Sequence, residues 1–390
     1  MVTAPLAAAP PLAASEAAAP GTPVGRVRPR LARAVELLMV GGATPLCFVV
    51  SWLLRESLPF STADLVVGFT FFHLAFIVND PHFSVTYLLF YEDFRDRAWG
   101  RAFSASLRLG YLLAGLAAPV VLLAWGFGAV VAGSAEALGG LLQLMLLLVG
   151  WHYVKQGFGV MVVLSARRGL RFSTLERRVV LAHCYAGWAF AWANPAKVAS
   201  LESVKGTVYT GWTRPAAFES VALAVLVASS VALVAVLIRK WRSEGRLPLF
   251  TPLVALLSSI WCWLVFSAAD PLVIYMTPAL HSLQYLYFVW LLKRNEAASR
   301  TGEPYYEPPP RERLAVLAFV ALGLGWLLFH AVPTALDDLF APDWRADGGA
   351  NLGPTPFFAA LYAAVNIHHY LMDAVIWRRD NPRTRYLLAD

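Results

Sequence analysis

Residues 62–91 read TADLVVGFTFFHLAFIVNDPHFSVTYLLFY, an apolar run with Asn79-Asp80-Pro81-His82 set into it near its inner end. A helix needs ~20 apolar residues to cross ~30 Å of hydrocarbon, and this stretch is long enough. A carboxylate, an amide and two imidazoles (His73 and His82) are costly at membrane depth, so they need partners or a chemical task. Pro81 lacks a backbone donor and disfavours helix at Asp80, which predicts a kinked or broken span there. Backbone groups freed inside a membrane must be satisfied by protein or water.

The composition extends this reading to the whole chain. Of 390 residues, 58% are hydrophobic and 15% charged, and the mean hydropathy is +0.57. That lies well outside the soluble balance. The net charge of +7 could suit nucleic acid, but the basic residues sit in short connections between apolar runs, so they read as topology and nucleic acid is not an expected partner. Cys47, Cys184 and Cys262 all fall inside apolar runs, which indicates packing rather than a disulfide framework or a thiolate metal site.

Ten spans follow: 34–54, 62–91, 109–131, 137–165, 179–194, 216–238, 249–267, 271–292, 314–332 and 354–377. With both termini on one side, 26 of the 32 Lys and Arg fall on that side and five on the other, with Lys155 inside a span. By the positive-inside rule the terminal side is cytoplasmic. The expected fold class is therefore all-α, a polytopic integral membrane bundle of about ten transmembrane helices in a bacterial-type inner membrane. Residues 1–25, rich in Ala and Pro, read as a disordered tail, and 26–390 as one transmembrane domain. The segments 195–215 and 333–353 read as outer loops, the second of them acidic. The spans show no internal repeat, which weakens an inverted-repeat transporter reading.

Topology assigns a depth to each histidine. At 1.5 Å per residue, His82, His152, His183, His281, His368 and His369 lie ~7 to 20 Å from the inner boundary, His73 is nearer the outer half, and His330 is close to the outer end of its span. Tyr362, Asn366, His369, Asp373 and Trp377 follow helical steps down one stripe of the last span. Asp373, one turn after His369, suits a carboxylate that orients a ligating imidazole by accepting its second ring proton. His281, Gln284 and Tyr285 share a face, and His152 is followed by Lys155 and Gln156. The expected metal ligands are His82, His152, His281, His368 and His369. Asp80, Lys155, Tyr285 and Asp373 are the expected catalytic groups, with Lys155 a counter-ion to Asp80 or Asp373 or reaching for the inner surface.

Imidazole and carboxylate without thiolate suit iron, zinc or copper, and iron is favoured for oxygen attack on an apolar molecule. The multiple intramembrane histidines, with His368-His369 in the final span, resemble those of histidine-rich membrane non-haem iron enzymes. These include fatty-acid desaturases and hydroxylases, and the bacterial carotene-cleaving dioxygenases that make retinal. The resemblance implies an oxidoreductase acting on a lipid or isoprenoid, in some members with a redox partner protein. Two other classes fit part of the pattern. A proton-coupled transporter or channel would use the His, Asp and Lys155 groups as a relay. A haem or quinone protein would use the His281-x-x-x-Tyr285 spacing. A lipid glycosyltransferase is a weaker fourth, since the acidic loop carries no partner motif.

Overall fold

A computed structural model of the chain describes residues 29–193, 201–204, 206–210, 212, 214–245, 250–268, 271–299, 310–340 and 352–388. The tail expected at 1–25, the turn residue Asp270, residues 300–309 of the inner connection, and Asp343 and Asp347 of the acidic loop lie outside these. The described residues are mostly helical. We label the apolar helices α1 (Arg30–Ser57), α2 (Ser61–Tyr91), α3 (Ala105–Val131), α4 (Ala135–Arg167), α5 (Thr174–Ala193), α6 (Ala216–Glu244), α7 (Phe250–Val265), α8 (Pro271–Ser299), α9 (Arg311–Phe340) and α10 (Pro356–Ile376).

Six of them, α1, α2, α3, α4, α6 and α9, are long and apolar enough to cross a membrane. The helices α8 and α10 fall outside this group and carry the polar side chains discussed below. Outward faces are hydrocarbon: α6 exposes Val221, Leu223, Val225, Val227, Val231 and Val234. A continuous apolar exterior of this kind fits contact with lipid.

Helix α4 is the most enclosed of the six and packs against α5, α7 and α10. Glycine permits the closest of these contacts: a Cβ on Gly157 would stand 2.5 Å from Ser259 Cβ, so α4 and α7 touch there through backbone and a small side chain. Three larger apolar cores result, beside a small one of Phe83, Phe329 and Val365. One holds Leu89, Phe90, Tyr111, Tyr285 and Met372. A second contains Tyr153, Val154, Leu256 and Trp263, and a third Leu138, Leu142, Phe357, Ala360 and Tyr370.

The break expected at Pro81 takes a milder form. Helix α2 runs on through it, and the backbone widens instead into a π turn at Ala75–Asn79, where the N–H of Asp80 donates to the carbonyl of Ala75, five residues back. Pro81 then occupies the first turn after the π segment, where its missing N–H costs little. Similar π segments interrupt α3 at Leu113–Ala117, α7 at Ser258–Val265 and α9 at Leu327–Ala331, while α1 is kinked within Leu38–Gly42, where Gly41 takes a non-helical φ of 150°. Side chains take up carbonyls within the α1 and α3 segments. Gln284 donates to Val40 O and Ser258 to Gly41 O, while His368 and Tyr91 donate to the carbonyls of Ala114 and Gly115.

Two outer-loop expectations need correction. Within 195–215 the chain makes a two-stranded antiparallel hairpin, β1 (Leu201–Val204) with β2 (Thr207–Thr210), so the fold is not purely helical. The alternating Thr-Val-Tyr-Thr and Gly206, with φ +83°, supply the strand pattern and the tight turn. Thr207 Oγ1 donates to Leu352 O, docking the hairpin beside the start of α10. The acidic loop is in part helical too, because α9 continues to Phe340. Asp337 is buried there and accepts from the backbone N–H groups of Phe357 (2.9 Å) and Phe358 (3.0 Å), capping the N-terminus of α10.

At the opposite end of the bundle a 3₁₀ turn, Pro382–Leu387, crosses the helix ends. Arg383 pairs with Glu92 (2.7 Å) and Glu296 (2.9 Å), Arg167 donates to Leu387 O and Asn295 to Tyr386 O. Burial alone would raise the Glu92 pKa, but Arg383 and Lys293 outweigh it and hold the carboxyl down at about 2. A depressed acid stabilises the folded state above its unfolded pKa and loses that contribution as pH falls through the folded value. The clamp should therefore loosen between pH 4.5 and about 2, seen as faster hydrogen exchange in 382–387. Arg383→Gln should bring the same loosening at neutral pH.

Candidate metal centre

The three larger cores meet around four imidazoles. His82 comes from α2, His152 from α4, His281 from α8 and His369 from α10, and one ring nitrogen from each lies within 4.8 Å of all the others. All four are buried; His369 has no exposed surface. His152 Nε2 and His281 Nε2 are 3.2 Å apart. The ring of His82 meets those of His281 and His369 edge-on at 5.0 and 4.4 Å between centroids.

Each core contributes an aromatic wall. Tyr285 lies against His82, Tyr153 and Trp263 against His281, and Tyr370 stacks on His152 at 4.7 Å and 28°. Below the pair His152–His281, Gln156 donates to Gln284 Oε1 and to His281 O, locking α4 to α8 one turn from the imidazoles.

Among the described residues, both nitrogens of His82, both of His369 and Nδ1 of His281 are buried without a hydrogen-bond partner. An unpaired buried polar group costs ~1–3 kcal/mol, and here several are gathered in one place. Nitrogens bound to one ion at ~2.0–2.1 Å stand about 3 to 4 Å apart, so this set needs only a small contraction to ligate a single metal. Four buried histidines could thus hold a metal ion.

Asp373 places a carboxyl group beside the cluster. Its Oδ2 lies 3.5 Å from His369 Nε2 and 3.8 Å from His152 Nε2. Its Oδ1 accepts from Tyr285 Oη (2.8 Å) and Trp377 Nε1 (3.2 Å), and Tyr285 Oη is 2.6 Å from Thr86 Oγ1. The sequence reading sets Asp373 behind His369, at the ring nitrogen away from a metal. The structure instead brings its Oδ2 to the His152 nitrogen that faces His281, so the carboxylate lies alongside the cluster. A buried dication needs a compensating charge, and this carboxylate is placed to provide it.

No family model, curated protein or solved structure matches this chain.

The remaining sequence candidates lie elsewhere. His368, expected among the ligands, points away from the four. Its Nε2–H donates to Ala114 O (2.8 Å), which leaves Nδ1 to accept from Tyr87 Oη (2.9 Å), so both nitrogens are engaged. The ~100° that separates neighbouring residues on a helix explains the divergence. Asp80 pairs with His330 Nε2 at 2.8 Å, outside the cluster. Gly325 lets α9 come this close, since a Cβ there would lie 2.9 Å from the Asp80 backbone. Among the described residues Lys155 makes no ion pair with Asp80 or Asp373, so the counter-ion expectation is not met. His73 bonds to Phe69 O in its own helix and His183 to Ser229. Thr86 and Tyr370 were absent from the sequence candidates. Thr86 stands one turn after His82 and Tyr370 beside His369, the only signal available for either.

Proposed function

We propose that this protein is a membrane-embedded, metal-dependent oxidoreductase, and that the metal is one iron ion held by His82, His152, His281 and His369. The observation that carries the reading is the set of orphaned imidazole nitrogens within ligand distance of one another in an apolar interior. Zinc and copper share the imidazole preference; iron is favoured because a buried, aromatic-lined site suits oxygen chemistry on an apolar substrate. A bound iron would supply activation of dioxygen. The protein's own groups would exclude water through the aromatic walls, and Asp373 and Tyr285 would hold a proton next to the site. The substrate class is a lipid or isoprenoid arriving from the bilayer.

Of the enzymes that the histidine pattern resembles, the single-ion type fits better than the two-ion desaturase type. The other four histidines are engaged or distant, and the boxes HxxxH and HxxHH do not occur. A haem reading is disfavoured because four mutually close imidazoles leave no plane for a porphyrin. A relay through Lys155 is disfavoured because, among the described residues, it pairs with neither Asp80 nor Asp373. Elemental analysis of the detergent-purified protein should give one iron per chain, and oxygen uptake should rise on addition of a polyunsaturated lipid or carotenoid. Iron below a tenth of an equivalent in protein expressed with iron in excess would sink the assignment.

The ten-span arrangement with both termini cytoplasmic belongs to the same proposal, supported by six helices long and apolar enough to cross a membrane and by the skew of 26 basic residues to one side. Reporter fusions at residues 170, 243 and 385 should read cytoplasmic, and those near 205 and 345 periplasmic. A periplasmic readout at 243 would break the topology.

A further inference from the structure

Helices α5 and α6 pack against each other, and at the basic end of the bundle an open cleft of ≈ 500 Å³ lies between the start of α5 and the end of α6. Its mouth carries Arg171 and Arg239, both exposed, and among the described residues neither guanidinium makes an ion pair or hydrogen bond. The wall toward the apolar part of the helices is Leu175, Val179 and Val236.

Other polar groups in the cavity are already committed. Lys240 is buried over the Phe172 ring and pairs with Glu176 (3.6 Å) and Glu244 (2.5 Å), also donating to the Arg171 carbonyl. The start of α5 is closed by reciprocal bonds, Ser173 N–H to Glu176 Oε2 and Glu176 N–H to Ser173 Oγ. Those helix donors are therefore unable to bind a ligand. The unsatisfied feature is a pair of arginines above an apolar cleft.

We infer that this cleft binds one anionic phospholipid, its phosphodiester between Arg171 and Arg239 and an acyl chain along Val179 and Val236. Charge complementarity selects the headgroup, since guanidinium forks match phosphate oxygens. The position selects a lipid over a soluble phosphate: the cavity opens at the end of two apolar helices, on the side where basic residues concentrate, and its inner wall continues the apolar exterior of α6. The volume suits a headgroup and the first part of one chain. This site is independent of the metal centre, and its fate does not alter that reading.

The test is native mass spectrometry of the full-length protein from detergent supplemented with phosphatidylglycerol or phosphatidylcholine. One phosphatidylglycerol should be retained in preference to phosphatidylcholine. The double variant Arg171→Gln/Arg239→Gln should lose that preference by about 30-fold, as expected when two juxtamembrane cations are removed. Arg242→Gln, an exposed charge on the same helix end outside the cavity, should keep it. Val236→Trp, which fills the apolar cleft without touching charge, should also displace the lipid. Equal retention of both lipids, retention by the double variant, or an equal loss in Arg242→Gln would overturn the proposal. So would displacement by inorganic phosphate at the lipid's own concentration, which would mark a soluble-anion site.

Discussion

Replacing His152 with alanine should reduce bound metal from one equivalent to near none while the protein still purifies as a folded species. His152 is the member whose Nε2 lies within 3.2 Å of His281 Nε2 and 3.8 Å of the Asp373 carboxylate, so its removal opens the centre of the ligand set. Losing a group that merely orients a ligand costs ~10 to 100-fold in affinity, and losing a ligand should exceed that. His82→Ala, His281→Ala and His369→Ala should behave alike, because each gives one nitrogen to the same 4.8 Å cluster. The contrast lies with His368→Ala, one residue from His369. It should retain metal and lose stability, since it breaks the bonds to Ala114 O and Tyr87 Oη that tie α10 to α3 and α2. Metal content and melting temperature measured together on these five variants decide the matter. If His368→Ala lost metal while His152→Ala kept it, the ligand assignment would be wrong.

Much of this site could be read from the chain. Depth along ten apolar runs placed His82, His152, His281 and His369 in one layer, and the stripe from Tyr362 to Trp377 aligned Asp373 with His369. What depth cannot give is rotation about each helix axis. His368 and Lys155 share the layer, yet the 100° step per residue turns His368 onto the Ala114 carbonyl of α3, and among the described residues no ion pair joins Lys155 to Asp80 or Asp373. A straight-helix ruler also fails where π turns widen the backbone. Segments 75–79 and 327–331 adjoin Asp80 and contain His330, the pair that sequence distance kept apart. The hairpin was missed for a different reason: an apolar chain draws attention to its spans, and the short alternation Thr207–Thr210 reads as loop until Gly206 is recognised as the turn.

Asp373→Asn isolates the role of charge at the centre. The substitution keeps the size of the side chain and an oxygen able to accept from Tyr285 and Trp377, which donate at 2.8 and 3.2 Å. It removes the one carboxylate that lies 3.5 Å from His369 Nε2 and 3.8 Å from His152 Nε2. Four neutral imidazoles leave the full charge of a dication uncompensated in an apolar interior, and Asp373 is the group positioned to offset it. Metal affinity and turnover should therefore fall ~10 to 100-fold with little change in the apo protein's melting temperature. Asp373→Glu, which restores charge on a longer arm, should recover affinity in part, an outcome that a purely structural carboxylate would not give. Were Asp373 only a hydrogen-bond acceptor joining α8 to α10, Asp373→Asn would lower the melting temperature and leave occupancy unchanged. That result would return the cluster to a scaffold or relay role and remove the oxidoreductase reading's main electrostatic support.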